Sequence, residues 1–183
     1  MTIYIAFLRG INVGGHNKIK MAELKNIFQS IGCKRVQTYI QSGNVLFESA
    51  EDADTLRKRI EQETAKVFSF TLTVILRTSL ELERIIENCP FTEAVLKEAE
   101  VSTDVETFYV SILLEPPTQE GIKQVSAFQN ENDEFRINGR EVYLLLRDGV
   151  RNSKLANNLY KLNVPSTMRN WKTINKLNAL AEV

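Results

Sequence analysis

Residues 9–20 read RGINVGGHNKIK, a run of the residue types that hold anions. In Gly-rich loops that lead from a strand into a helix, backbone N–H groups cradle phosphates, and here Arg9, Lys18 and Lys20 add positive charge. Gly10 and Gly15 have the spacing of P-loop glycines, but a P-loop continues with Lys and Ser or Thr, where this chain has His16 and Asn17. A nucleoside-triphosphate site of that kind is therefore not supported. An anion-holding loop of another sort, using Asn12, Gly14 and Gly15, stands beside a plainer reading in which the glycines serve backbone geometry alone.

Three further stretches are rich in Gly, Asn, Ser or basic residues. Gln41-Ser42-Gly43-Asn44 reads as a hairpin turn whose polar side chains, with Gln41, Ser42 and Asn44 as candidates, face the rim of a neighbouring loop. Asp148 to Lys154 enters a helix that Asn152 or Ser153 is able to cap, with Ser153 and Lys154 as candidate ligand contacts. Thr167 to Thr173 opens the last helix and brings Arg169, Asn170 and Trp171 together with Lys172. Trp171 there is either a core anchor or a surface that stacks on a base or ligand.

Several chemistries are argued against. His16 is the single histidine, and Cys33 and Cys89 lie 56 positions apart with no CxxC pairing, so no metal site is expected. A His16–Cys33 pair is disfavoured because Cys33 follows a helix end, where the dipole raises a thiol pKa. No GxGxxG pattern occurs, and no cofactor is expected. The acidic residues of the middle segment read as a solvated face.

Charge is zero overall but segregated: residues 1–40 carry net +5, residues 41–135 net −11 and residues 136–183 net +6. If the basic ends converge, they form a positive surface that attracts anions. With 43% hydrophobic and 25% charged residues the chain is of globular composition. No run approaches the roughly 18 apolar residues of a membrane span, and MTIYIAFL reads as a first strand, not a signal peptide. The cytoplasm is the expected location, with no membrane partner.

Elements that position the loops follow from periodicity. Ile3 to Leu8 is a continuous apolar run, as in a strand covered on both faces. Met21, Leu24, Ile27, Phe28 and Ile31 recur at helical spacing up to Gly32. Two strands (36–40 and 45–47), a helix with Leu56, Ile60 and Val67 on one face capped by Asp52 or Asp54, and a strand over 72–76 complete a βαββαβ order. The order recurs as a strand over 108–114, a helix near 122–128, strands over 134–137 and 141–146 joined at Asn138-Gly139, a helix with Leu155, Leu159 and Leu162, and an extended piece at 164–168. The expectation is an α+β protein of two ferredoxin-like halves, a structural duplication: residues 1–78, a connecting helical segment over 79–104 broken at Cys89-Pro90, and residues 105–183 with a C-terminal helix striped by Trp171, Ile174, Leu177 and Leu180.

The segments LRGINVGG with NKIKM, TYIQSGNVLF, SKL at Ser153–Leu155 and TMRNWKTINKL at 167–177 together resemble the mainly bacterial family known as domain of unknown function 1697. The resemblance runs from residue 8 to residue 177. It implies a cytoplasmic α/β protein, with no established activity and no catalytic residues to carry over.

Three functions compete. The first is binding of an anionic ligand or nucleic acid through Arg9, Lys18, Lys20, Lys154, Arg169 and Lys172, with Tyr4 and Tyr39, or Phe108 and Tyr109, as the aromatic pair of an RNA-binding sheet, although no RNP1 signature is present. The second is an enzyme acting on a phosphorylated or carboxylated metabolite between the halves, with Arg9, Lys20 and Arg169 on the anion and Asn12, Asn44 and Asn170 orienting it. The third is an interaction module without a ligand. Anionic-ligand binding is the reading favoured, with catalysis left open.

Overall fold

The structure, a computed structural model, describes residues 1–182. The fold is mixed α+β, with two four-stranded antiparallel sheets and, among the described residues, seven α-helices. The chain divides into two compact units, one of residues 1–84 together with the chain from Lys176 on, the other Ile85–Asn175. Residues 79–84 fall in the first unit and residues 85–104 in the second. No described helix is long and apolar enough to cross a membrane.

In the first unit, β1 (Thr2–Leu8), α1 (Met21–Ser30), β2 (Lys34–Tyr39), β3 (Asn44–Ser49), α2 (Ala53–Phe68) and β4 (Val74–Thr78) build a sheet of order β2-β3-β1-β4. Every residue from Tyr4 to Leu8 is buried, which explains the continuous apolar run. Tyr4, Ala6 and Leu8 face a core containing Leu24, Phe28, Leu56 and Ile60. Gly32 ends α1 in the left-handed region at φ 89°: its N–H donates to the Gln29 carbonyl at 3.0 Å, and the Cys33 N–H to Phe28 at 3.1 Å. That is a Schellman cap, where glycine carries no Cβ penalty.

Two details of this unit differ from expectation. Asp52 does cap α2, accepting from the Thr55 N–H at 3.0 Å, but Val67 is 56% exposed. The buried row instead runs Leu56, Ile60 and Thr64 and continues to half-buried Phe68, along an i, i+4 ridge inclined to the helix axis, so Val67 falls outside it. The fourth strand begins at Val74, although Leu72 ahead of it is buried.

α3 (Ser79–Glu87) and α4 (Glu93–Val101) flank Cys89-Pro90, as proline disfavours helix at the residue before it. The second unit continues with β5 (Phe108–Leu113), α5 (Gln119–Ser126), β6 (Asp133–Asn138), β7 (Glu141–Leu146), α6 (Lys154–Asn157), a 3-10 turn at Leu159–Leu162, β8 (Ser166–Asn170) and the start of α7 (Trp171–Ala181), whose residues from Lys176 on belong to the first unit. Its sheet order is β6-β7-β5-β8. One face carries the core of Leu113, Val125, Leu144 and Leu155. Over the other lies the segment after Ile85: the Tyr143 hydroxyl donates to the Ile85 carbonyl at 2.6 Å, and Phe91 meets Phe108 edge-on at 5.5 Å.

Here too the local chemistry refines the pattern. Asn138 pairs with Glu141, so the hairpin loop is Gly139-Arg140, one residue later than expected. Gly139 takes φ 59° and neither neighbour does, which fits glycine at the first central position of a type II′ turn. The helix expected through Leu155, Leu159 and Leu162 breaks after one turn. The Asn158 side chain donates to the Lys154 carbonyl at 2.7 Å, competing with the backbone ladder; all three leucines are nevertheless buried. Residues 167–170, expected to open the last helix, are the end of β8.

Candidate functional site

The 9–20 connection between β1 and α1 is organised by Asn12. Its Nδ2 donates to the carbonyls of Ile19 (3.1 Å) and Gln41 (2.8 Å), and its Oδ1 accepts from the Ile19 N–H at 2.9 Å. Asn17 donates from Nδ2 to the Gly10 carbonyl at 3.1 Å, and Val13 to His16 close a small hairpin at the tip. Both asparagines occupy left-handed backbone, which Asn tolerates better than most residues. Ile11 and Ile19 go into the core, so the connection is anchored from below while its polar and basic side chains stay outside.

The 40–44 turn locks against this loop. The Leu8 N–H donates to the Gly43 carbonyl at 2.8 Å, and Gly43, at φ 86°, lies against Ile11 and Leu8. Fully buried Asn44 donates to the Tyr39 carbonyl at 3.1 Å and to the Ser42 hydroxyl at 3.0 Å. Loop and turn are thus adjacent. Asn44 and much of Asn12, expected to orient a ligand, instead build the backbone that presents the site.

Loop, turn and the start of α1 border an open pocket of about 610 Å³ lined by Asn12, Gly15, Lys18, Ile19, Lys20, Met21, Glu23 and Gln41. Five of these were singled out in the sequence; Ile19, Met21 and Glu23 were not. Arg9, Lys18 and Lys20 are exposed and make no ion pair among the described residues. Lys20 is the N-cap of α1, extended and without a side-chain capping bond, so the first-turn N–H groups of the helix have no side-chain acceptor from it. Positive charge and a helix start without a side-chain cap therefore meet at one concave place.

The candidates at the other end of the sequence lie in the second unit and are differently employed. Ser153 is buried, accepting from the Ala156 N–H at 2.9 Å and donating to Asp133 Oδ2 at 2.8 Å. Lys154 is exposed. Asn170 caps α7 by accepting from the Thr173 N–H at 2.8 Å. Arg169 is 8% exposed, and its guanidinium donates to the Thr167 hydroxyl at 2.7 Å and the Met168 carbonyl at 2.9 Å. Burial pushes it down to about 10, so it is a buried cation at neutral pH.

Trp171 packs on Phe108, ring centroids 4.9 Å apart, beside a pocket of about 230 Å³ that also takes in Glu100, Asp104, Glu106 and Lys172. Lys172, expected among the free cations, lies 2.9 Å from Glu106 and 3.5 Å from Glu100. The hydrogen bond to Glu106 holds its ammonium above the ordinary lysine value. This second pocket is acidic and does not suit an anion.

The aromatic platform of an RNA-binding sheet is not formed by the residues expected. Tyr4 is buried on the core face, stacked on Phe47 at 5.6 Å with its hydroxyl donating to the Glu51 carbonyl. Phe108 and Tyr109 are consecutive in β5, so they point to opposite faces, and Phe108 is buried. No group of three or more metal-ligating side chains occurs among the described residues.

Cys33 and Cys89 are free thiols. Cys33 is buried at the C-terminal end of α1, and burial pushes its thiol up to about 11 from about 9. His16 precedes the same ten-residue helix, which separates the two by about 15 Å of helix rise. At pH 8 the shift alone lowers the Cys33 thiolate fraction roughly a hundredfold. Iodoacetamide will therefore modify Cys33 in the native chain at least about a hundredfold more slowly than in urea, as read by peptide mass spectrometry; equal rates would contradict its burial. Because the unfolded thiol ionises first, the stabilisation from this group is complete below pH 9 and is lost as pH rises towards 11.

A family model described as a protein of unknown function (DUF1697) matches residues 1–143. The solved structure of the conserved bacterial protein SP0830 from Streptococcus pneumoniae is similar over 100% of this chain and 99% of its own, with a TM-score of 0.77 and 28% sequence identity. No curated protein matches the chain.

Proposed function

The chain belongs to the DUF1697 family of proteins of unknown function, and from that premise we propose that it binds an anionic small molecule in the pocket formed by the 9–20 loop, the 40–44 turn and the start of α1. One observation carries the reading: Lys18 and Lys20 line a pocket of ligand size with no carboxylate paired to either. Exposed ammonium groups that no carboxylate of the chain engages are available for charge-assisted hydrogen bonds to an incoming anion. A small molecule is favoured over nucleic acid because Tyr4 and Phe108, half of each expected stacking pair, are buried.

The reading includes two ferredoxin-like halves related by duplication, with the cytoplasm as their location. Three features support the duplication. The strand orders correspond, β2-β3-β1-β4 with β6-β7-β5-β8. Arg77 opposite Ile5 and Arg169 opposite Val110 occupy the same register, and both are buried. Each last strand passes straight into a helix through a cap, Thr78 accepting from the Glu81 N–H and Asn170 from the Thr173 N–H. On this reading the second half is an internal control: it joins β5 to α5 with residues 114–118, whereas the first half spends residues 9–20 on the corresponding link. The extra length is more than the fold needs, and surplus loop on a rigid scaffold is where binding residues concentrate.

Thermal melts of the full chain test the proposal, with pyrophosphate or citrate as probe and sodium chloride at matched ionic strength as control. At tenfold excess over the dissociation constant, binding contributes about 1.4 kcal/mol, a rise of roughly 4 °C for a chain of this size. The double substitution Lys18→Ala with Lys20→Ala abolishes that rise. An equal rise in the double variant, or none with any anion, removes the site.

A further inference from the structure

The pocket has a second character besides its positive charge. Glu23 lines it, is exposed, and makes no hydrogen bond or ion pair among the described residues. The contrast with Glu81 is informative, because both occupy the third position of a helix. Glu81 folds back to accept from the Thr78 N–H at 2.8 Å, in a reciprocal capping box. Glu23 follows Lys20, which lacks the hydroxyl for such a box, and its carboxylate caps nothing. A carboxylate beside two lysines would ordinarily pair with them, yet no Glu23–lysine contact falls within ion-pair distance. The pocket thus holds separate cationic and anionic stations on a floor that includes Ile19 and Met21.

We infer, resting on the anion-binding reading above, that the ligand is a phosphate ester that also carries hydroxyl groups, a phosphorylated sugar or similar polyol. Lys18 and Lys20 take the phosphate, and the Glu23 carboxylate accepts hydrogen bonds from the hydroxyls. A bare inorganic anion uses only the first station and is repelled by the second, whereas a hydroxylated ester satisfies both. The volume agrees, since about 610 Å³ is well beyond the needs of a lone phosphate and within the range of small-molecule sites.

Calorimetric titration of the full chain with inorganic phosphate, ribose 5-phosphate and ribose separates the possibilities. The expected order is ribose 5-phosphate tightest, phosphate weaker by about tenfold, and ribose without measurable binding. Glu23→Gln gives the sharper readout because the two probes should move in opposite senses. Losing the carboxylate removes repulsion and tightens phosphate, while ribose 5-phosphate weakens by about tenfold. If ribose 5-phosphate binds no tighter than phosphate, or the variant shifts both in the same sense, the sugar-phosphate assignment is wrong and the anion site stands. If neither phosphate nor ribose 5-phosphate binds the parent chain, the anion site itself falls, and this inference with it.

Discussion

Replacing Gly43 with valine will destabilise the chain by roughly 3 kcal/mol, out of the 5–15 typical of a folded domain. Two costs combine. The backbone at Gly43 has φ 86°, and a β-branched residue is strained in that region whatever space surrounds it. There is also no space: an added Cβ would lie 2.7 Å from Ile11 Cδ1 and 3.0 Å from Leu8 Cβ. Ile11 is able to swing aside, but Leu8 Cβ is fixed to β1, so the turn itself must lift. Lifting it breaks the 2.8 Å bond from the Leu8 N–H to the Gly43 carbonyl and pulls Gln41 from Asn12. The urea midpoint of the full chain should drop accordingly, and the Leu8 amide should exchange with solvent faster than its neighbours in β1. Alanine at the same position keeps the strain with a smaller clash and should cost less. A valine variant within about 0.5 kcal/mol of the parent would mean that turn and loop are not locked together as described.

Much of this was legible in the residues because local chemistry and tertiary fate agreed. Gly32 stops α1 in the conformation that only glycine adopts freely, and Asp52 caps α2 by the bond its side chain is built to make. The apolar run of β1 announced burial on both faces, and the GINVGG and QSGN segments announced tight turns. What stayed hidden depended on the direction of a surface, which periodicity does not carry. Val67 has the right angular position on α2 but lies off the inclined row that meets the sheet. Lys172 counts as a positive charge in any tally, yet Glu106 and Glu100 meet it from residues more than sixty positions away. In the pocket, the glycines, asparagines and lysines were visible by composition, whereas Met21 and Glu23 looked like ordinary first-turn helix residues. The only available signal for Glu23 was a capping-box glutamate with lysine where the box requires Ser or Thr.

Gly121 separates sequence logic from packing logic most sharply. It sits inside α5, where glycine is the poorest helix former but proline, and by propensity alone Gly121→Ala should stabilise by about 1 kcal/mol. The structure reverses the sign. A Cβ at this position would lie 2.9 Å from the Leu162 carbonyl oxygen, 3.0 Å from its Cα and 3.2 Å from its carbonyl carbon. All three are backbone atoms of the 3-10 turn packed against α5, so no side-chain rotation relieves the contact. The turn is also held from within: Leu162 and Leu159 are buried in the core that receives Val125 from α5. Alanine must therefore push helix and turn apart, opening apolar contacts on both sides of Leu162. That loss is worth more than the propensity gain and leaves a net destabilisation of about 2 kcal/mol. Urea unfolding of the full chain reads the sign directly. A variant more stable than the parent would show that α5 and the 3-10 turn do not approach at backbone distance. A less stable one identifies Gly121 as the residue whose missing side chain lets them close.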